Sequence, residues 1–200
     1  MLKRIFLSFI IMLGFMTSMG ATSTAEAASI DINASNDSSI ILSEPMTAEQ
    51  IAKEYANNQN VSYEQAKEAL FPQSSISAYT EISPYAINYR TLQKRLPDNA
   101  GFVYFYCQTD ESSTSFRAIN KILNAGYSSG SKIYSGTLYY HLPDPNRINY
   151  ILNGHLYNTG STTVSGGGSI GLGSSATANI NISSTSSYYK PLYNNSYLTF

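Results

Sequence analysis

The chain contains few residues that can form disulfide bonds or carry charge. Its 200 residues contain one cysteine and no tryptophan. A single cysteine excludes an intramolecular disulfide framework, so an exported fold has to rest on its core. Twelve basic and thirteen acidic residues leave a formal net charge of -1. This balance excludes the basic face that nucleic acid requires and a general attraction to anionic lipid, and we expect no nucleic-acid partner.

The chain also lacks a hydrophobic run long enough to span a membrane. Its longest apolar run, over residues 5–16, is shorter than the roughly 20 residues that a spanning helix needs. Lys3 and Arg4 precede this run, and an Ala-Glu-Ala cleavage pattern follows at residues 25–27. This arrangement is typical of a signal peptide over residues 1–27, and it predicts a secreted mature protein.

Three segments precede the main domain. Residues 28–46 are rich in Ser, Asn and Asp, which predicts a flexible leader. Residues 47–72 contain two capping boxes and predict a small helical hairpin, either a spacer or pro-segment or a partner-binding element. Residues 73–84 read as a linker, because Ser and Pro are frequent there. Residues 85–200 then remain for an antiparallel β domain of sufficient length for a core.

Between residues 132 and 187, almost every even-numbered residue is apolar or glycine and almost every odd one is polar. Such period-two alternation indicates half-buried strands with one face toward a core. The 17 tyrosines suit a sheet, since Tyr is favoured in strands. We therefore predict a mainly β, α+β protein, built as an antiparallel meander or β-sandwich with the even residues inside.

Loops with an odd number of residues keep the even residues of neighbouring strands on one face. Loops at residues 143–147, 158–160 and 173–175 meet this condition. The resulting meander would pair Leu138 with Leu152, Leu156 with Thr162, and Ile170 with Ala178.

A central strand and a covering helix are predicted from the middle of the chain. Residues 102–108, FVYFYCQ, are apolar on both sides, so we expect a strand covered on both faces. Cys107 within it is expected to be a buried, inert thiol. A helix covering one side of the sheet is predicted from Phe116, Ile119, Ile122 and Leu123, between a Ser115 cap and Gly126. The tail, residues 188–200, predicts an edge strand.

A short segment before the central strand has helical spacing and basic residues. Its apolar positions, Tyr89, Leu92 and Leu96, fit a helix ended by Pro97, although a strand fits nearly as well. Its basic residues are Arg90, Lys94 and Arg95. We interpret this cluster either as the solvated face of the helix or as a contact for a phosphate or lipid headgroup.

The odd face of the alternating stretch lacks charge. No Asp, Glu, Lys or Arg occurs between Ile148 and Tyr189, whereas soluble sheets usually protect their edges with charge. The face is covered by a second layer, used by an extracellular partner, or inserted into a membrane. Neutral polar groups beside tyrosines suit a flat, uncharged ligand. The candidate binding residues are Ser135, His155, Thr163, Ser165, Thr177, Asn179 and Asn181.

Catalytic patterns are weak. Ser135 beside His155, with Asp144 or Asp110 as the acid, resembles a hydrolase arrangement, but no nucleophile elbow or oxyanion hole accompanies it. Two histidines are too few for a typical zinc site. The glycine run at residues 166–171 matches G-x-G-x-x-G without the helix that the dinucleotide fingerprint requires. We expect no enzyme, no metal and no cofactor.

Two functions fit these observations. The first is a secreted, non-catalytic β-sandwich that binds or assembles at an extracellular surface, namely a glycan, the cell wall or a protein. The second follows from residues 162–183, which resemble the Ser/Thr/Gly-rich insertion hairpins of β-pore-forming toxins in composition and alternation. This resemblance implies a membrane-active, bacteriocin-like protein, and each arm of about 11 residues has the length of a spanning strand. Either function is compatible with a homo-oligomer.

Overall fold

Ten β-strands and two α-helices make up the part of the chain that the computed structural model describes, residues 39–72, 87–113, 116–130, 132–184 and 187–200. The helices are α1 (Ala48–Gln59) and α2 (Tyr63–Leu70). The strands are β1 (Ile40–Leu42), β2 (Asn88–Arg95), β3 (Phe102–Ser113), β4 (Phe116–Ser128), β5 (Ile133–Asp144), β6 (Arg147–Tyr157), β7 (Thr162–Gly166), β8 (Ile170–Gly171), β9 (Ser175–Ile182) and β10 (Tyr188–Thr199). The prediction of a mainly β, antiparallel protein is confirmed, and of the two predicted architectures the β-sandwich fits, with two antiparallel sheets.

The strands form two five-stranded sheets that pack face to face. Sheet A has the order β1-β2-β3-β4-β8, sheet B has the order β10-β6-β5-β9-β7, and all paired strands are antiparallel. The core lies between them. The ring of Phe105 in sheet A contacts Tyr140 and Tyr150 in sheet B, with centroid distances of 6.2 and 6.0 Å. All three side chains are buried, as the even-numbered alternation predicts for sheet B.

Both helices begin where the capping boxes predict. The Thr47 side chain accepts a hydrogen bond from the backbone of Gln50, whose own side chain accepts one from the Thr47 backbone, and Ser62 and Gln65 repeat this exchange. These reciprocal bonds satisfy backbone donors that the first turn leaves unpaired. Asn60, in the left-handed conformation, ends α1.

The helical hairpin covers part of the outer face of sheet A. Ile51 of α1 and Leu70 of α2 are buried against Tyr89 and Tyr106. β3 is the third of five strands, with the hairpin on one side and sheet B on the other, so the predicted doubly covered central strand is confirmed. Cys107 lies fully buried in the inter-sheet core, and burial raises the pKa of its thiol, as expected of an inert cysteine.

The predicted covering helix is wrong, because that segment is β4. Relative to β3, β4 carries one extra residue at Asn120 and another at Leu123. Each bulge shifts the alternation by one position. Ile119 and Ile122 therefore both face the inter-sheet core although they are three residues apart, and Leu123 packs under the helices. Two bulges thus produce the three-residue spacing that resembles a helix. The proposed cap, Ser115, lies outside the described residues.

The segment before the central strand is also a strand, β2, so the helical alternative is wrong. Pro97 opens a short 3-10 turn, Pro97–Asn99. The basic cluster is not a solvated helix face. Arg90 is buried and forms an ion pair with Glu111 of β3, with 2.7 Å between Nε and Oε1 and 2.6 Å between Nη2 and Oε2. Its Nη1 also donates to the carbonyl oxygen of Ser43.

The predicted meander is right for one hairpin and wrong for the rest. β5 pairs with β6 in the expected register, with Leu138 opposite Leu152. β6 then pairs with β10 rather than β7, so Leu156 does not face Thr162. β8 joins β4 in sheet A, and β9 lies between β5 and β7, so Ala178 faces Leu138 rather than Ile170. β10 is an edge strand, as predicted.

A glycine run redirects the chain between β7 and β8. Gly166, Gly167 and Gly168 have φ values of 71°, 74° and 115°, which favour residues without a Cβ. The Tyr140 hydroxyl holds this run by donating to the Gly168 carbonyl oxygen at 2.6 Å and accepting from the Gly168 amide at 2.9 Å. The chain therefore leaves sheet B at these glycines and crosses to sheet A.

Parts of the predicted N-terminal organisation lie outside the described residues, namely the signal peptide, most of the leader and the whole of the linker. At the end of the stretch expected to be a flexible leader, Ile40–Leu42 forms β1 and pairs with β2. Among the helices in the described ranges, none is both long and apolar enough to cross a membrane.

Candidate binding face

One broad surface of the sandwich is open. We call it the neutral face: the odd-numbered, outward side of sheet B. Alternation places the even residues of β5, β6 and β9 in the core, so the odd residues point outward. Within the described part of the chain, no helix or further strand packs over this side. The outer side of sheet A, by contrast, carries the helical hairpin.

Neutral polar side chains cross the face in rows. One row runs through all five strands, because Tyr193 is opposite Asn153, Asn153 opposite Thr137, Thr137 opposite Asn179, and Asn179 opposite Ser165. These five residues are Asn, Thr, Ser and Tyr, and none is an acid or a base of the Asp, Glu, Lys, Arg or His type. Amides and hydroxyls both donate and accept hydrogen bonds, so the row offers both functions to a ligand.

Five tyrosines of sheet B are exposed among the described residues, Tyr188 and Tyr189 at the start of β10 and three others. Tyr193 and Tyr197 on β10 are 65% and 56% exposed, and Tyr139 on β5 is 36% exposed. A depression of about 430 Å³ lies between Tyr197 and Tyr139. Its lining residues are Tyr139, His141, Asn149, Tyr150, Ile151, Asn195, Ser196 and Tyr197. The face therefore combines exposed aromatic rings with amide groups around a shallow recess.

Charged side chains lie at the two ends of the neutral face. At one end, Asp144 and Arg147 form a half-exposed ion pair with 3.3 Å between Oδ2 and Nη2. At the other, the Lys132 and Lys190 ammonium groups lie 4.5 and 5.8 Å from the centroid of the Tyr189 ring. Charged side chains thus border the face at both ends, and the described residues in its middle carry none.

The residues predicted for the site all lie on sheet B, but in two groups. Ser135 is opposite His155, as expected. His155 does not face Thr163, because its other neighbour is Pro191 of β10. The second group occupies β7 and β9 beyond β5: Thr163 is opposite Asn181, Ser165 is opposite Asn179, and Thr177 is opposite Tyr139.

The structure does not assemble the hydrolase arrangement. The His155 ring packs edge-on against Tyr188, with 5.7 Å between centroids. Asp144 is at the far end of β5 from Ser135, about 30 Å away at the usual rise of a strand. Asp110 belongs to sheet A. Within the described ranges, no three His, Cys, Asp or Glu side chains are grouped closely enough to hold a metal ion.

The tyrosines of β10 were not predicted as site residues. The tail was predicted as an edge strand, and none of its side chains was expected on the face. Tyr193, Asn195 and Tyr197 recur at every second position and are all exposed. That period is the signal that would have found them, because it places alternate residues on one side of a strand.

The fold and this face define an antiparallel β-sandwich with one covered and one open sheet. Comparison of the chain with protein-family models, curated proteins and solved structures finds no match. The chemistry of the neutral face is therefore the basis for inferring a function.

Proposed function

We propose that this chain is a secreted, non-catalytic binding protein that attaches to an uncharged extracellular polymer, a glycan or cell-wall component, through the neutral face. The observation that carries the proposal is the exposure of Tyr139, Tyr193 and Tyr197 on an open sheet whose centre holds only neutral groups. Export rests on the signal-peptide pattern of residues 1–27.

Neutral polymers match this chemistry. Aromatic rings supply apolar area with little side-chain entropy to lose, and the C–H faces of sugar rings can lie against them. Amides such as Asn153 and Asn195 can donate to and accept from hydroxyl groups. Binding an uncharged ligand here requires no unpaired charge to be removed from water, which would be costly. A flat face also suits an extended surface better than a small enclosed molecule.

The first test is removal of two rings. The double substitution Tyr193→Ala and Tyr197→Ala is expected to weaken retention on an insoluble glycan or wall preparation by about ten- to a hundredfold, since aromatic residues dominate binding energies. The unfolding midpoint should change little because both side chains are exposed. Co-sedimentation with cellulose, chitin and peptidoglycan measures retention.

The matched control removes similar exposed apolar area elsewhere. Val164 and Leu172 are 64% and 56% exposed but lie off the row of tyrosines. The pair Val164→Ala and Leu172→Ala should leave retention unchanged. If it weakens retention as much as the tyrosine pair does, or if the wild-type protein binds none of the three materials, the proposal fails.

A membrane-active function is the second candidate, and one observation favours it. Every residue of β7 is exposed, so one arm of the proposed insertion hairpin is held only along β9. The other arm is held more firmly, because β9 also pairs with β5 and buries Ala178 and Ile180. Dye release from liposomes discriminates the two functions. Release that is abolished by a disulfide between Thr137→Cys and Asn179→Cys, which face each other on β5 and β9, would favour insertion.

A further inference from the structure

The outer edge of β10 is the longest open strand edge in the described part of the chain. β10 has 12 residues, whereas the other strands at the ends of the two sheets, β1, β7 and β8, have 3, 5 and 2. β4 extends beyond β8, but bulges interrupt it. Folded proteins usually protect a long edge, because its unpaired N–H and C=O groups can pair with another strand.

Protection of the β10 edge is confined to its first residues. A bulge at Tyr189 and the side chains of Lys190 and Pro191 lie there. Residues 192–199 contain no charged residue, no proline and no register shift against β6. This part of the edge is regular and carries none of the usual devices that prevent strand pairing.

The hydrogen bonds to β6 show which backbone groups of β10 point outward. The Phe200 amide donates to the Asn146 carbonyl oxygen at 2.9 Å. These two residues continue the register that pairs Leu198 with Ile148. Hydrogen-bonded and non-hydrogen-bonded pairs alternate in an antiparallel ladder, so the even residues of β10 bond to β6. The N–H and C=O groups of the odd residues, 193, 195, 197 and 199, therefore point away from the sheet.

We infer that β10 pairs with β10 of a second copy of this chain, antiparallel about a two-fold axis at Asn195. In this register Tyr193 faces Tyr197 of the second copy on the neutral side, and Leu192 faces Leu198 on the core side. Odd residues meet odd residues, so the outward N–H and C=O groups of residues 193, 195 and 197 exchange hydrogen bonds with the second copy. The same surface is used on both copies, so the contact closes as a dimer.

Neighbouring registers fit less well than this one. A shift of one residue pairs odd with even residues and leaves the outward backbone groups without partners. A shift of two residues in one direction sets Leu198 against Asn194, and in the other it sets Tyr197 against Pro191, which has no N–H to donate. The axis at Asn195 instead pairs tyrosine with tyrosine and leucine with leucine, and facing aromatic residues stabilise a sheet.

The dimer joins two copies of sheet B into one continuous sheet. Their neutral faces then lie side by side, with tyrosines of both copies along the seam. The pairing itself does not rest on the proposed attachment to a glycan, because it is measured without one. If that attachment holds, two linked faces retain the protein on a polymer more firmly than one face does.

The first test is sedimentation equilibrium of the mature protein over a wide concentration range, without glycan or lipid. Pairing of one strand buries a small interface, so we expect a monomer–dimer equilibrium with a dissociation constant of about 1–100 μM. A protein that stays monomeric at about 1 mM would overturn the inference. Assemblies that grow beyond the dimer would overturn it as well, because they require head-to-tail pairing of different edges.

Substitutions at Asn195 test whether β10 forms the contact. Asn195→Pro removes an N–H that makes no bond to β6, and it should raise the dissociation constant at least about tenfold. Asn195→Thr keeps the N–H and is the matched control, with an unchanged dissociation constant. Asn195→Lys places like charges opposite each other at the axis, and it should weaken the dimer most at low salt without lowering the unfolding midpoint of the monomer. A dimer that neither Asn195→Pro nor Asn195→Lys weakens would contradict the inference.

Disulfide trapping tests the register. Facing residues of a hydrogen-bonded pair have Cα atoms about 5.5 Å apart, within reach of a disulfide, so Asn195→Cys should form a linked dimer on mild oxidation. Tyr193→Cys should not link to itself, because its counterpart lies about 14 Å away along the strand, but it should link when mixed with Tyr197→Cys. Cys107 is fully buried and does not compete. Linkage of Tyr193→Cys to itself as readily as Asn195→Cys would overturn the proposed pairing.

Discussion

Replacing Arg90 with alanine is expected to lower the free energy of unfolding by about 3–5 kcal/mol, the usual cost of removing one partner from a buried ion pair. The Arg90 and Glu111 side chains are only 6% and 12% exposed. The guanidinium makes two parallel hydrogen bonds to the carboxylate, and the Thr109 hydroxyl donates to the same carboxylate at 3.0 Å. The substitution leaves the Glu111 charge buried without its counter-ion. Chemical denaturation monitored by tyrosine fluorescence and circular dichroism measures the loss.

The same pair predicts a pH dependence. Burial by itself raises the pKa of Glu111, but the hydrogen bonds and charge of Arg90 outweigh it and hold the pKa below its ordinary value of 4.5. A carboxyl group with a lowered folded-state pKa stabilises the fold fully above the unfolded-state value. That contribution is lost as the pH falls from 4.5 through the folded-state pKa. Wild-type stability should therefore fall in this range more steeply than that of Glu111→Gln.

Two comparison variants make the ion-pair prediction specific. Arg90→Met combined with Glu111→Leu removes both charges and should be more stable than Arg90→Ala alone, because no buried charge remains unpaired. Lys53→Ala removes the ion pair with Glu49, whose side chains are 62% and 64% exposed, and should leave the midpoint unchanged. A loss from Arg90→Ala no larger than that from Lys53→Ala would contradict the prediction.

Gly154→Ala is expected to destabilise the protein by about 2–3 kcal/mol, at the upper end of the range for overpacking. An added Cβ would overlap the carbonyl oxygen of Ser135 and lie 2.7 Å from the Gly136 Cα and 2.9 Å from the Tyr134 ring. Two of these neighbours are backbone atoms in the centre of sheet B, which cannot move without disturbing the pairing of β5 and β6. Thermal and denaturant unfolding measure the effect.

Gly171→Ala is the matched control for Gly154→Ala. Gly171 lies in the short strand β8, and its φ is outside the left-handed range that favours glycine. No atom would lie within 4 Å of an added Cβ. Alanine there should be neutral or slightly stabilising, because it restricts the unfolded chain. Equal destabilisation by the two substitutions would contradict the prediction, because no neighbouring atom at Gly171 meets an added Cβ.

The strands of sheet B were predictable where alternation was unbroken. β5, β6 and β9 keep period two, and the register that was predicted from a loop at residues 143–147 places Leu138 opposite Leu152, as observed, although only residues 145–146 separate the two strands. Period two identifies which side of a strand is buried but not which strand is its neighbour. The insertion of β9 between β5 and β7 depends on the crossing to sheet A at Gly166–Gly168 and on the Tyr140 bonds to Gly168, which are non-local.

The failures elsewhere have specific physical causes. In β4, bulges at Asn120 and Leu123 gave strand residues a helical spacing. In β2, Arg90 was predicted to be solvated, but it pairs with the carboxylate of Glu111, which lies 21 residues later in the chain. The composition of the neutral face was predictable, because the sequence of this stretch lacks charged residues. The division of the predicted site residues into two groups was not, because it depends on which strand pairs with β6.

The separation of inner and outer residues along β5, β6, β9 and β10 bears on how this protein can change over evolutionary time. Core residues such as Leu152 alternate with exposed ones such as Asn153, so the two sets can be substituted almost independently. If sheet B binds a ligand as proposed, sequence drift at the exposed positions alters what the sheet recognises and leaves the packing intact. Sheet A has less of this freedom, because its outer residues beneath α1 and α2 are part of a second core. Related chains should therefore diverge in specificity through sheet B and preserve the tyrosines that hold the helices to sheet A.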